Sequence, residues 1–116
     1  MSDTTKAQIQ SLVDNNDVVL FMKGTMNFPQ CGFSSGVAQL MQYLQIEAQD
    51  VNVLESEDVR QGIKDFSDWP TIPQLYVKGE FIGGFDIIKE MFESGEFFGM
   101  LDEKQITYKK PAAQDA

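Results

Sequence analysis

Residues 69–86 read WPTIPQLYVKGEFIGGFD. Two short apolar runs, Leu75-Tyr76-Val77 and Phe81-Ile82, flank Lys78-Gly79. A tight turn carrying glycine between strand-length runs predicts a β-hairpin, and therefore antiparallel pairing. Trp69-Pro70-Thr71-Ile72-Pro73 punctuates the chain before the hairpin and Gly83-Gly84 closes it. The chain upstream has a different grammar. Val18-Val19-Leu20-Phe21-Met22 is a continuous apolar run of strand length, suited to a strand buried on both faces. Lys23-Gly24 ends it, and residues 25–30 form a loop. Beyond Phe33, Val37, Leu40, Met41 and Leu44 recur at i, i+3, i+4 and i+7, the spacing of an amphipathic helix. Val51 and Val53 then mark a second strand. Strand, helix, strand in that order requires a parallel pair. The sheet is therefore expected to be mixed.

The remaining elements fit around that sheet. Ile9, Leu12 and Val13 give a first helix over residues 4–15. Ser56, two acids and then Val59, Ile63 and Phe66 give a third helix with a capping serine. Ile87, Ile88, Met91 and Phe92 follow Asp86 in a fourth helix that Gly95 stops, and a short helical piece runs from Phe97 to Leu101. A single domain is expected over residues 1–107, with a polar, frayed tail over residues 108–116. The order is helix, strand, helix, strand, helix, hairpin, helix. A four-stranded mixed sheet flanked by helices satisfies it, which is a thioredoxin-like α/β architecture.

Composition narrows the function classes. The chain has 116 residues, 42% of them hydrophobic, enough for one globular domain with a core of its own. Nine Lys and Arg against eighteen Asp and Glu leave a formal charge of −9. Such a chain is repelled by phosphate backbones and anionic membrane surfaces, so neither nucleic acid nor membrane is an expected partner. The opening MSDTTKAQIQ is polar, without the apolar segment of a signal peptide, and no run of about 18 apolar residues is present to span a bilayer. One cysteine precludes an intrachain disulfide, which suits a reducing cytoplasm. The absence of histidine excludes Ser-His-Asp triads, Cys-His dyads and histidine-ligated zinc.

The one thiol, Cys31, stands in FPQCGFS, residues 28–34. A lone cysteine is usually a small core hydrophobe. Here it follows the first strand's loop and opens the second helix, where unpaired backbone N–H groups and the helix dipole stabilise a thiolate. Lys23 adds a positive charge and the Ser34 hydroxyl a donor to sulfur. Such settings lower a cysteine pKa to about 3.5–7.5. Gly32 leaves room for another chain to approach, although Gly32 and Ser34 also read simply as a flexible helix start.

CGFS after a strand ending in MKG, together with RQGIKDFSDWPTIPQLYVKGEFIGGFDI over residues 60–87, resembles the monothiol glutaredoxin family. The resemblance covers about residues 5–105, in the family's order and spacing. It implies a thioredoxin-like fold, glutathione binding and a [2Fe-2S] cluster shared between two subunits. It also implies roles in iron–sulfur assembly and iron homeostasis, with a BolA-like protein and recipient apoproteins as partners. Residue by residue, Cys31 matches the active-site thiol and cluster ligand, and Lys23 the glutathione-binding lysine beside it. Arg60 matches the cation that meets the glycyl carboxylate, with Lys64 one helical turn on. Ile72, before Pro73, matches the residue whose backbone pairs with the cysteinyl unit of glutathione, and in the family that proline is cis. Phe85 and Asp86 match the pair that holds the γ-glutamyl end. The chain departs from the family at Phe85, where many members carry a second cysteine, and at Met26, where a proline is common.

The chemistry of the ligand agrees with this placement. Glutathione carries two carboxylates, an ammonium and a thiol. Lysine and arginine suit one carboxylate, the backbone N–H groups after Gly83-Gly84 suit the other, and Asp86 suits the ammonium. The alternatives are a solvated helix face for Arg60 and Lys64, and an N-terminal helix cap for Asp86. Trp69 and Phe66 read as packing residues. A [2Fe-2S] cluster takes four ligands, typically thiolates. Two chains supply two and two glutathiones the other two, which makes a glutathione-ligated homodimer and a cluster carrier the leading reading. The second is an enzyme of at most weak activity, a glutathione-dependent thiol–disulfide oxidoreductase that removes glutathione from proteins. For that chemistry one thiolate suffices.

Overall fold

The computed structural model describes residues 1–111. The chain folds as α1 (Asp3–Asn15), β1 (Val18–Met22), α2 (Gly32–Tyr43), β2 (Gln49–Asn52), a 3-10 turn (Val53–Glu55), α3 (Glu57–Ser67), β3 (Gln74–Val77), β4 (Glu80–Gly83), α4 (Phe85–Ser94) and α5 (Glu96–Glu103). The sheet order is β2-β1-β3-β4, with β1 parallel to β2 and the other pairs antiparallel. This is the mixed sheet expected from the sequence.

β1 occupies an inner position and all five of its residues are buried. Side chains alternate across a strand, so Val18, Leu20 and Met22 enter one core layer and Val19 and Phe21 the other. The first layer collects Val37, Ala38 and Met41 of α2, Ile88 of α4, and Phe97 and Leu101 of α5. The second collects Ile9 and Val13 of α1 with Val59 and Ile63 of α3. Helices thus cover both faces of the sheet. The hairpin turn places Lys78 at φ 53 and Gly79 at φ 79. Positive φ at both central residues is the turn that matches strand twist.

The second strand ends one residue earlier than the two valines predict. Val53 is buried but lies in the 3-10 turn. Asn52 causes this: its Oδ1 accepts from the N–H groups of Leu54 at 3.0 Å and Gly24 at 2.9 Å, turning the chain and tying it to the loop after β1. The last helical piece is longer than expected, Glu96–Glu103, because Gly95 at φ 90 stops α4 and restarts the helix at once. Ordered contacts run beyond residue 107. The Lys109 N–H donates to the Leu44 carbonyl at 2.6 Å and the Tyr108 ring lies 5.7 Å from Phe98. The rest of the expected tail, residues 112–116, lies outside the described residues.

Candidate functional site

The predicted site residues that follow β1, precede β3 and follow β4 gather at the end of the sheet where β1 and β2 finish. The loop after β1 is built from its own bonds. Gly24 takes φ 91, and a Cβ there would lie 2.5 Å from the Phe28 carbonyl, so the tight turn admits only glycine without strain. Thr25 and Phe28 exchange N–H to carbonyl bonds of 3.2 and 3.1 Å, and the Gln30 N–H donates to the Lys23 carbonyl at 2.8 Å. The Met26 N–H donates to the Asp50 carboxylate at 2.7 Å. Proline, common at this position in the family, has no N–H and could not make that bond.

This loop delivers Cys31 to the N-cap of α2 in extended conformation. Its side chain makes no regular capping bond, but the sulfur faces the first N–H groups of the helix. The Ser34 N–H is the largest influence holding the thiol below its ordinary range. Partial burial opposes it; the Phe33 N–H, the Lys23 ammonium and the Ser34 hydroxyl reinforce it. Ser34 is fully buried and its Oγ accepts from the Lys23 N–H at 3.0 Å, which fixes the strand end against the helix start. The geometry favours the thiolate form of a cysteine that stays partly exposed. Phe28 and Phe33, 73% and 59% exposed, flank it.

Beside the thiol lies a cavity of about 180 Å³ whose lining includes Phe33, Trp69, Ile72, Pro73, Phe85 and Asp86. The Ile72–Pro73 peptide is cis. Neither the N–H nor the carbonyl of Ile72 has a hydrogen-bond partner among the described residues, so one peptide edge is open to an extended ligand. Opposite stands the N-terminus of α4, whose cap, Gly84, offers no side chain and leaves the first-turn N–H groups uncapped. A Cβ on Gly84 would lie 3.2 Å from the Pro73 carbonyl and 3.3 Å from the Trp69 indole nitrogen, so glycine lets the two walls meet. Phe85 sets its ring 5.3 Å from Phe33. Where many members of the family carry a second cysteine, this chain has an aromatic shelf beside the first.

The groove brings Ile72, Pro73, Phe85 and Asp86 together. Lys23 stands by the thiol. Arg60 and Lys64 do not line this cavity. Lys64 lines an adjoining depression with Gln61, Asp65 and Asp68, and Trp69 forms the wall common to both. Arg60 lies on α3 in a 3.6 Å ion pair with Glu57, and its buried Nε has no partner among the described residues. Trp69, which reads as a packing residue, does both jobs: its ring lies 6.0 Å from Phe81 while 37% of the residue remains exposed at the groove. Phe33, Thr71 and Ile87 also line the groove and carried no separable signal. Phe33 and Ile87 read as helix positions and Thr71 as part of a turn. Among the described residues no group of three His, Cys, Asp or Glu side chains could hold a metal, so a cluster bound through Cys31 needs ligands from outside the chain.

The family model Glutaredoxin matches residues 18–82. A monothiol glutaredoxin of Synechocystis is 51% identical over 88% of this chain and 95% of its own length. The chain belongs to the monothiol glutaredoxin family. A chloroplastic monothiol glutaredoxin of Arabidopsis thaliana is 54% identical over 78% of the chain, which spans 53% of that longer protein. Among solved structures, a monomeric truncated mutant of Trypanosoma brucei 1-C-Grx1 shares 40% identity over 91% of this glutaredoxin and 96% of its own chain, with a TM-score of 0.84. A buckwheat glutaredoxin–glutathione complex shares 25% identity over 90% and 93% of the two chains, with a TM-score of 0.78. No helix among the described residues of this glutaredoxin is long and apolar enough to cross a membrane.

Proposed function

We propose that this glutaredoxin binds glutathione in the groove beside Cys31 and carries a [2Fe-2S] cluster bridged between two subunits. Its task is to deliver clusters during iron–sulfur assembly and iron homeostasis. One observation carries the reading: a single thiolate-favouring cysteine lies next to a groove with an open peptide edge and an uncapped helix N-terminus. The Ile72 backbone suits the cysteinyl unit of glutathione, the α4 N–H groups its γ-glutamyl carboxylate and Asp86 its ammonium. Lys23 and Arg60 suit the glycyl carboxylate. The buried Arg60 Nε, without a partner among the described residues, supports this assignment, because a buried donor lacking an acceptor is costly.

Ligand arithmetic supports the dimer. Each chain offers one thiol and no imidazole, so two chains and two glutathiones complete the four ligands. A cluster held partly by non-covalently bound tripeptides is readily released, which suits a carrier. A reducing compartment such as the cytoplasm keeps both thiols available.

The lowered Cys31 pKa also favours a second reading, a glutathione-dependent thiol–disulfide oxidoreductase. The Cys31 thiolate would attack the glutathione sulfur of a mixed disulfide, releasing the protein thiolate. A second glutathione thiolate would then attack the new disulfide, leaving oxidised glutathione and free Cys31. Two assays on the same preparation separate the readings. The apo protein is expected to turn over a small glutathione mixed disulfide slowly, and the holo protein to transfer its cluster efficiently to an apo-ferredoxin. Rapid reduction with no detectable transfer would reverse the order.

A further inference from the structure

The wall of the groove is a segment that cannot hold its own shape. Residues 69–73 include two prolines, Pro70 and Pro73, and so lack two of the backbone donors that would normally close a loop on itself. The missing donors come from beneath. Gln74, the first residue of β3, is fully buried, and its Nε2 donates to the Trp69 carbonyl at 3.1 Å and to the Thr71 carbonyl at 3.1 Å. Both protons of the amide are used, one on each side of Pro70. With these two carbonyls drawn inward, the N–H and carbonyl of Ile72 remain unpaired among the described residues.

The amide is held in its turn. The Tyr76 hydroxyl donates to Gln74 Oε1 at 3.3 Å. Two carbonyls on one end and a hydroxyl donor on the other fix which way the amide points. Burial pushes the Tyr76 phenol up to about 12, so it remains a donor at any ordinary pH. Ser67 completes the frame by accepting from the Trp69 N–H at 3.1 Å. Glutamate at 74 would lack both donors and leucine all polar function; glutamine supplies the two donors and one acceptor the site requires.

We infer that Gln74 is a positioning residue for glutathione: it never reaches the ligand, and its side-chain amide holds residues 69–73 so that the Ile72 peptide edge and the Trp69 wall are presented to it. This rests on the glutathione reading of the groove. Trp69 is the only tryptophan, so its emission reports the wall directly.

The test compares wild type, Gln74→Met and Tyr76→Phe by glutathione titration, following heat and indole fluorescence together. Gln74→Met keeps volume but removes both loop bonds. It is expected to bind glutathione about tenfold or more weakly, since the Trp69 and Thr71 carbonyls lose the donors that hold the loop, and to show altered Trp69 emission before ligand is added. Tyr76→Phe removes the hydroxyl on Gln74 Oε1 yet keeps both loop bonds, and is expected to weaken binding far less than Gln74→Met does. Wild-type affinity in Gln74→Met would overturn the inference, as would an equal loss in Tyr76→Phe, which would mark a general stability effect. A wild type that does not bind glutathione would overturn the function reading itself, a distinct result. Should Gln74→Met fail to fold, nuclear magnetic resonance of the wild-type side-chain amide decides. Protons protected from exchange and shifted by glutathione support the role; protons exchanging at the solvent rate refute it.

Discussion

At the scale of single residues, Cys31 owes its chemistry to backbone more than to side-chain charge. The Ser34 N–H has the largest effect on its pKa, and the Lys23 ammonium a smaller one. A group whose folded pKa is depressed contributes stability above its unfolded pKa, and that contribution is lost as pH falls through the folded value. The alkylation rate of Cys31 should therefore fall with pH through a midpoint below the ordinary thiol value. Unfolding in denaturant should move the midpoint up to that value. Lys23→Gln should raise it part of the way, and high salt should mimic the change, because the cation acts through partly exposed space. A midpoint that is the same in folded and unfolded protein would contradict the account. Phe85 shows what the sequence at this scale hid. The letter told us that a second thiol was missing; only the fold shows its ring set against Phe33 beside the first.

Among the elements, α3 presents the sharpest question, because Arg60 has a helix partner and a nitrogen with no partner among the described residues. Arg60→Glu exchanges its ion pair with Glu57 for a like-charge i,i+3 contact, a cost of about 0.2–0.5 kcal/mol to the helix. Losing a charge-assisted bond to a glycyl carboxylate would cost about 1.5–3 kcal/mol, or about tenfold or more in glutathione affinity. The melting temperature should hardly move while glutathione binding and holo-dimer assembly fall, the dimer further because two glutathiones enter each cluster. Unchanged assembly at equal glutathione would place Arg60 on a solvated helix face. The elements themselves were legible because strong local signals agreed: the period-3.6 stripe of Val37, Leu40, Met41 and Leu44, the unbroken run of β1, and the glycine turn of the hairpin. The end of β2 was not, because Asn52 stops it by accepting from Leu54 and, across the chain, from Gly24, and the spacing of the two valines does not announce that stop. Cys31, Ile72, Pro73, Phe85 and Asp86 could be placed around one groove from motif order. The separation of Lys64 from that groove by Trp69 depends on how α3 packs, and so was not visible.

For the molecule as a whole, the central claim is a count of thiols. With one cysteine, no histidine and, among the described residues, no group of other metal-ligating side chains, a single chain offers one thiolate of the four ligands a [2Fe-2S] cluster takes. The fold places that cysteine at the surface, beside exposed Phe28 and Phe33, where a second copy can approach and a groove can present a glutathione sulfur. Cluster, glutathione and dimer should therefore appear together or not at all. Anaerobic reconstitution with iron, sulfide and glutathione tests this most directly, reading visible absorption, bound iron and glutathione, and mass in solution on one sample. The account predicts a [2Fe-2S] spectrum confined to a dimer with one cluster and two glutathiones per two chains, absent without glutathione and absent in a folded Cys31→Ser. A cluster of wild-type iron content in Cys31→Ser, or one that assembles on a monomer without glutathione, would contradict it.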